Sequence, residues 1–74
     1  MSLQTNKRYW AFYSQGLMMA RETARALEIG YDDLERWTMA GLIPHVSFNY
    51  KGQIWTGYPV TEILALRRKM GLTP

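Results

Sequence analysis

The four residues Gly41-Leu42-Ile43-Pro44 divide this chain into two regimes. Upstream, apolar side chains recur every three or four residues; immediately downstream, from His45 to Trp55, they alternate. Glycine weakens a helix, and proline lacks the N–H that a helix interior needs. A helix must therefore stop near Ala40 without resuming at once. From His45 on, Val46, Phe48 and Tyr50 alternate with Ser47 and Asn49, the period of a strand. Lys51-Gly52 is a turn signal, and Gln53-Ile54-Trp55 resumes extended structure, so a β-hairpin is expected.

Upstream of the break, residues 20–29 (ARETARALEI) are rich in helix formers. Ala20, Thr23, Ala24 and Leu27 share one face, and Arg21 and Arg25 share another. Gly30 is the expected C-terminal cap of this helix. A second helix is predicted from about Tyr31 to Ala40. Asp32 and Asp33 favour its positive end. Tyr31, Leu34, Trp37 and Thr38 form its expected inward face, and Asp32, Arg36 and Met39 its outward one. After the hairpin, Thr56 fits an N-cap for a last helix from about Gly57 to Met70, with Pro59 tolerable in its first turn. Val60, Ile63, Leu64, Leu66 and Met70 form its expected buried face, with Arg67 near the edge. Residues 1–7 are polar and expected to fray. Tyr9, Tyr13, Leu17, Ala20, Ala24 and Leu27 nearly continue one helical stripe, so residues 1–18 are open between an extra helix, an added arm and an upstream start-site artefact.

Seventy-four residues make one small domain with one modest core. A hydrophobic share of 47% against 20% charged is globular rather than disordered. There is no cysteine, so neither disulfides nor thiolate–zinc sites staple the fold. Packing must supply the stability, and three Trp, five Tyr and two Phe offer the area for it. The net charge of +3 suits nucleic acid or an anionic surface without selecting either. No run is long and apolar enough to predict a membrane span. Ser14-Gln15-Gly16 interrupts the apolar stretch behind Lys7 and Arg8, which argues against a signal peptide and for a cytoplasmic address.

The order helix, tight turn, helix, hairpin, helix predicts a mainly α fold with a small β-hairpin, a winged helix-turn-helix. Within "TARALEIGYDDLERWTMAGLIP", residues Ala24, Ile29, Leu34, Trp37, Gly41, Leu42 and Pro44 resemble the core pattern of MerR-like winged helices. The small size and the step "GQIWT" are similar to phage excisionases, the recombination directionality factors. The resemblance covers roughly residues 19–70. It places a winged-helix domain over 19–74, behind an N-terminal extension, 1–18, that offers a self-association surface. It implies that the second helix enters the major groove of double-stranded DNA and that the wing reaches the adjacent minor groove or phosphates. It further implies copies packing along DNA, DNA bending, a phage integrase as partner, and work at the nucleoid of a bacterial host. No cofactor, catalytic chemistry or small-molecule effector is implied. Two departures stand out. Glu35 takes a place where MerR-type regulators normally carry arginine, and the chain ends at Pro74 without their long coiled coil, which disfavours an effector-sensing activator.

Each candidate contact has a bland counterpart. Arg36 suits guanine or a phosphate, and Asp32, four residues earlier, suits a cytosine amine; otherwise the two form a solvated surface pair. Glu35 and Met39 share the reading side of the same helix. Lys51 at the wing tip is a backbone or minor-groove contact, or an ordinary turn lysine; Gln53 follows it on the wing. Arg21 and Arg25 can flank the groove. Arg68 belongs with Arg67 and Lys69 to the densest positive cluster, which also merely complements a helix dipole. Trp37 belongs to the core by its phase. Trp10, Phe12 and Tyr13 either cap that core or form an adhesive face. His45 has no carboxylate or second histidine nearby to make a metal or catalytic site. The functions in contention are an excisionase-type accessory factor, a small MerR-like regulator or the DNA-recognition domain of a packaging protein, and, in another class, a protein-interaction module. With one His, no Cys and no phosphate-binding Gly loop, nothing signals an enzyme.

Overall fold

The computed structural model describes residues 7–72. Four helices and a three-stranded antiparallel sheet follow in the order α1 (Lys7–Ser14), β1 (Leu17–Met18), α2 (Ala20–Leu27), α3 (Tyr31–Met39), β2 (Val46–Tyr50), β3 (Gln53–Pro59) and α4 (Val60–Lys69). In the sheet β3 is central, with β1 on one side and β2 on the other. Among the described residues no helix is long and apolar enough to cross a membrane.

The N-terminal stretch, left open by the sequence, contains a helix followed by a short strand. Phe12 is buried, its ring 4.7 Å from Phe48 and 6.4 Å from Trp55, so α1 lies on the aromatic face of the hairpin. The continuous stripe from Tyr9 to Leu27 is not formed. Gly16 turns the chain with φ +72°, and Leu17 and Met18 then pair with Pro59 and Tyr58. Of the tail expected to fray, Lys7 is already the first residue of α1, and residues 1–6 lie outside the described residues.

Helix α2 ends earlier than Gly30. Glu28 adopts the left-handed conformation, φ 56°, its N–H bonds Arg25 O at 3.1 Å, and the Ile29 N–H bonds Ala24 O at 3.0 Å. These two bonds close the free carbonyls of the last turn in a Schellman arrangement. Gly30, with φ −72°, instead precedes α3 as its N-cap. The helix is thus capped by a glutamate, although glycine fits the left-handed region better.

The last helix also starts later than expected. Thr56 is not its N-cap; β3 continues through Thr56 and Gly57 to Pro59, and α4 begins at Val60. Gly57 lies against the Leu17 side chain of β1. A Cβ there would lie 2.7 Å from Leu17 Cδ1 and 3.3 Å from its Cβ and Cγ, so a side chain at 57 would force Leu17 aside. The extension brings Tyr58 into the core, 3% exposed, beside Ala24, Leu27, Leu34, Ile43 and Ile63.

Two expected faces need correction. Tyr31 is 59% exposed rather than inward, because Leu34 holds the centre of the buried face and Tyr31 falls to its side. On α4, Ile63 is fully buried and Leu66 packs against the core. Leu64 and Met70 stay exposed, one turned off that stripe and the other past the last turn.

Candidate nucleic-acid interface

Helix α3 is anchored from below. Leu34 is 1% exposed and Trp37 packs partly buried against the core. Thr38 Oγ1 donates to Leu34 O at 2.7 Å, which leaves its lone pairs for the Tyr58 hydroxyl at 3.0 Å. With that side fixed, Asp32, Glu35, Arg36 and Met39 are all exposed on the opposite side. The Arg36 side chain is 70% exposed.

The expected Asp32–Arg36 pair is not formed. Arg36 Nη2 donates to Asp33 Oδ1, one turn back at (i, i+3). Both spacings bring helix side chains together, and Asp33, the less exposed of the two acids, gives the arginine a better-held partner. Asp32 remains free to face a ligand. An exposed pair of this kind contributes little to stability.

The tip of the β2–β3 hairpin is a two-residue turn between Tyr50 and Gln53. Lys51 and Gly52 both have positive φ, 51° and 78°, the type I′ geometry that matches strand twist and prefers Asn-Gly. The Gly52 N–H donates to Asn49 Oδ1 at 3.3 Å. Lysine is a poor fit for the left-handed position, yet it puts a charge at the most protruding point of the hairpin. Its ammonium lies 5.5 Å from the Tyr50 ring centroid and pairs with no acid among the described residues.

An open groove of about 1250 Å³ runs between α1, the start of α2, α3 and β3. It gathers four of the sequence-derived candidates: Arg21 from α2, Glu35 and Met39 from α3, and Gln53 from β3. Sequence reasoning missed Arg8, Tyr31, Ile54 and Trp55, which share its walls. β1 pairs only with Tyr58 and Pro59, so residues 53–56 of β3 offer the groove an unpaired strand edge. The Arg8 guanidinium carbon sits 4.2 Å above the Trp55 ring. Three polar atoms in these walls are sealed without a hydrogen-bond partner among the described residues: Arg8 Nε, Trp55 Nε1 and Glu22 Oε1. Such atoms each cost about 1–3 kcal/mol when left unpaired.

The remaining candidates lie elsewhere. Asp32, Arg25, Arg36, Lys51 and Arg68 are exposed but do not line the groove. The basic cluster at the end of α4 is divided: Arg67 turns inward, donating to Ala26 O and lying 3.7 Å from Glu28, so it binds α4 to the end of α2. Arg68 and Lys69 stay in solvent. His45 Nδ1 bonds Ile43 O at 2.7 Å, which makes it part of the bend after α3. Among the described residues no group of three or more His, Cys, Asp or Glu side chains gathers to hold a metal ion. No family model, curated protein or solved structure matches this chain.

Proposed function

We propose that the chain is a winged-helix DNA-binding accessory factor of the excisionase type, with α2 and α3 as the helix-turn-helix and β2–β3 as the wing. In this reading α3 enters the major groove and presents Asp32, Glu35, Arg36 and Met39 to base edges, while Lys51 and Gln53 follow the neighbouring backbone or minor groove. A helix and a wing gripping adjacent grooves favour bent DNA. Several copies bound side by side, with a phage integrase, then direct recombination towards excision. One short helix reads few base pairs, so neighbours supply the selectivity that a single copy lacks.

The observation that carries this reading is the common placement of α3 and β3. Glu35 and Met39 of the helix border the same groove as Gln53 and Ile54 at the foot of the hairpin tip, and Arg36 on α3 and Lys51 in the turn before β3 are both exposed. The acids at the start of α3 fit the same picture, because Asp33 steadies Arg36 and leaves Asp32 and Glu35 to accept from cytosine amines.

A footprint on phage attachment-site DNA, with and without the cognate integrase, tests the reading. Stepwise protection by successive copies, with excision products appearing only when both proteins are present, is the expected result. Binding to duplex that ignores attachment sites would point instead to a regulator or a packaging protein. A second class stays in play because of the groove itself: its aromatic walls carry Arg8 and Arg21 against Glu22 and Glu35, a balanced set that suits a protein segment. Absence of any salt-dependent duplex binding would favour that protein-interaction module.

A further inference from the structure

Arg8 and Trp55 pose a problem that packing does not explain. Two N–H donors, Arg8 Nε and Trp55 Nε1, belong to side chains in contact and neither has an acceptor among the described residues. Arg8 pairs with no acid: the ion pairs among the described residues are Arg36–Asp33 and Arg67–Glu28. Its place is held by stacking over the indole, a weak restraint for a half-buried cation. Arg21, exposed and also without an acid partner among the described residues, lines the same groove from α2. Two arginines and an indole N–H around one open groove lack a common partner among the described residues, although Glu22 and Glu35 line the same walls; an anionic oxygen acceptor would satisfy all three donors.

We infer that Arg8 and Trp55 form a phosphodiester-binding site on the α1 side of the groove, with Arg21 as its second cation. This site rests on the DNA-binding reading and extends it, since it adds α1 to an interface otherwise made by α3 and the hairpin. In the free protein Arg8 covers the indole. When a DNA strand enters the groove, the guanidinium lifts from the ring to the phosphate, and the Trp55 N–H is uncovered to donate to the same group. A charge-assisted contact replaces a stack, and both stranded donors gain an acceptor. Glu22, whose Oε1 is also unpartnered, is the intramolecular rival for Arg8.

The test is fluorescence anisotropy of a labelled, short mixed-sequence duplex over a series of KCl concentrations, with parent, Arg8→Gln, Arg8→Lys, Glu22→Gln and Lys51→Asn proteins, each also melted by circular dichroism. The expected result for Arg8→Gln is affinity roughly tenfold lower at moderate salt and a log K against log salt slope shallower by about 0.9. Arg8→Lys keeps the parent slope. A purely structural role for Arg8 would move the melting temperature and leave the slope alone. A parent slope in Arg8→Gln, alongside a weakened Lys51→Asn, overturns the Arg8 site and leaves the DNA-binding reading standing. Equal loss of melting temperature in Arg8→Gln and Glu22→Gln, again at the parent slope, assigns Arg8 to Glu22 and overturns it as well. Competition by millimolar inorganic phosphate at constant ionic strength would overturn the phosphodiester assignment in favour of a free anion. Failure of the parent to bind duplex at all removes the reading beneath it.

Discussion

Tyr58 donates its phenolic hydrogen to Thr38 Oγ1 at 3.0 Å, while Thr38 donates onward to Leu34 O at 2.7 Å. This short chain ties α3 to β3, the strand that carries the hairpin. Replacing Tyr58 by Phe should cost about 1 kcal/mol of stability, measured by urea unfolding, with an unchanged helical spectrum. Duplex binding should weaken modestly as the angle between helix and hairpin loosens. A Tyr58→Phe protein as stable as the parent would show that the bond does not hold the two elements together.

The close packing of the Leu17 side chain on Gly57 gives a sharper stability prediction. With Leu17 Cδ1 2.7 Å from the position of an added Cβ, Gly57→Ala should cost about 1–3 kcal/mol through overpacking. Thermal unfolding checks it. A variant that melts with the parent would mean that β1 does not rest against β3 at this point.

Lys51 offers a clean separation of charge from fold. Lys51→Asn suits the left-handed turn position better than lysine, so the variant should melt at or slightly above the parent. Its duplex affinity should fall, with the salt slope shallower by about 0.9. Salt-series binding next to a melting curve gives both readings from one preparation. Unchanged affinity would remove the hairpin tip from the interface.

At the head of α3, Asp33 restrains Arg36 through an exposed pair. Asp33→Asn should leave stability nearly unchanged and strengthen non-specific duplex binding, because it removes a negative charge and frees the arginine. Arg36→Ala should weaken binding with the fold intact. Gel-shift titrations at fixed salt compare the two; parallel behaviour of both variants would contradict a role for Arg36 at the interface.

What the sequence made legible follows the range of the forces involved. Helix α3 was readable because its signals are local: acids at its start, Leu34 and Trp37 in phase, Gly41 at its stop. The Lys51-Gly52 turn was readable for the same reason. The end of α2 was misjudged because Gly30 is the favoured residue for a left-handed cap, while the chain uses Glu28, whose carboxylate also faces Arg67. The start of α4 was misjudged because Thr56 looks like an N-cap until β1 and Tyr58 claim the strand. Residues 7–18 were undecided because Phe12 gains its burial from Phe48 and Trp55, far along the chain. The exposure of the candidate residues was legible to the same extent. Local amphipathicity exposed Asp32, Glu35, Arg36 and Met39, and turn chemistry exposed Lys51. The groove wall made by Arg8 and Trp55 was not, since no spacing rule connects residues joined only by the fold.

The most direct measurement is a titration of isotope-labelled protein with duplex DNA, followed by backbone amide shifts in two-dimensional NMR. The account predicts that the largest changes fall on residues 32–39 and 50–55, with a smaller set at Arg8 and Arg21. Shifts confined to α4 around Leu64 and Arg68, or no shifts at low salt, would contradict it.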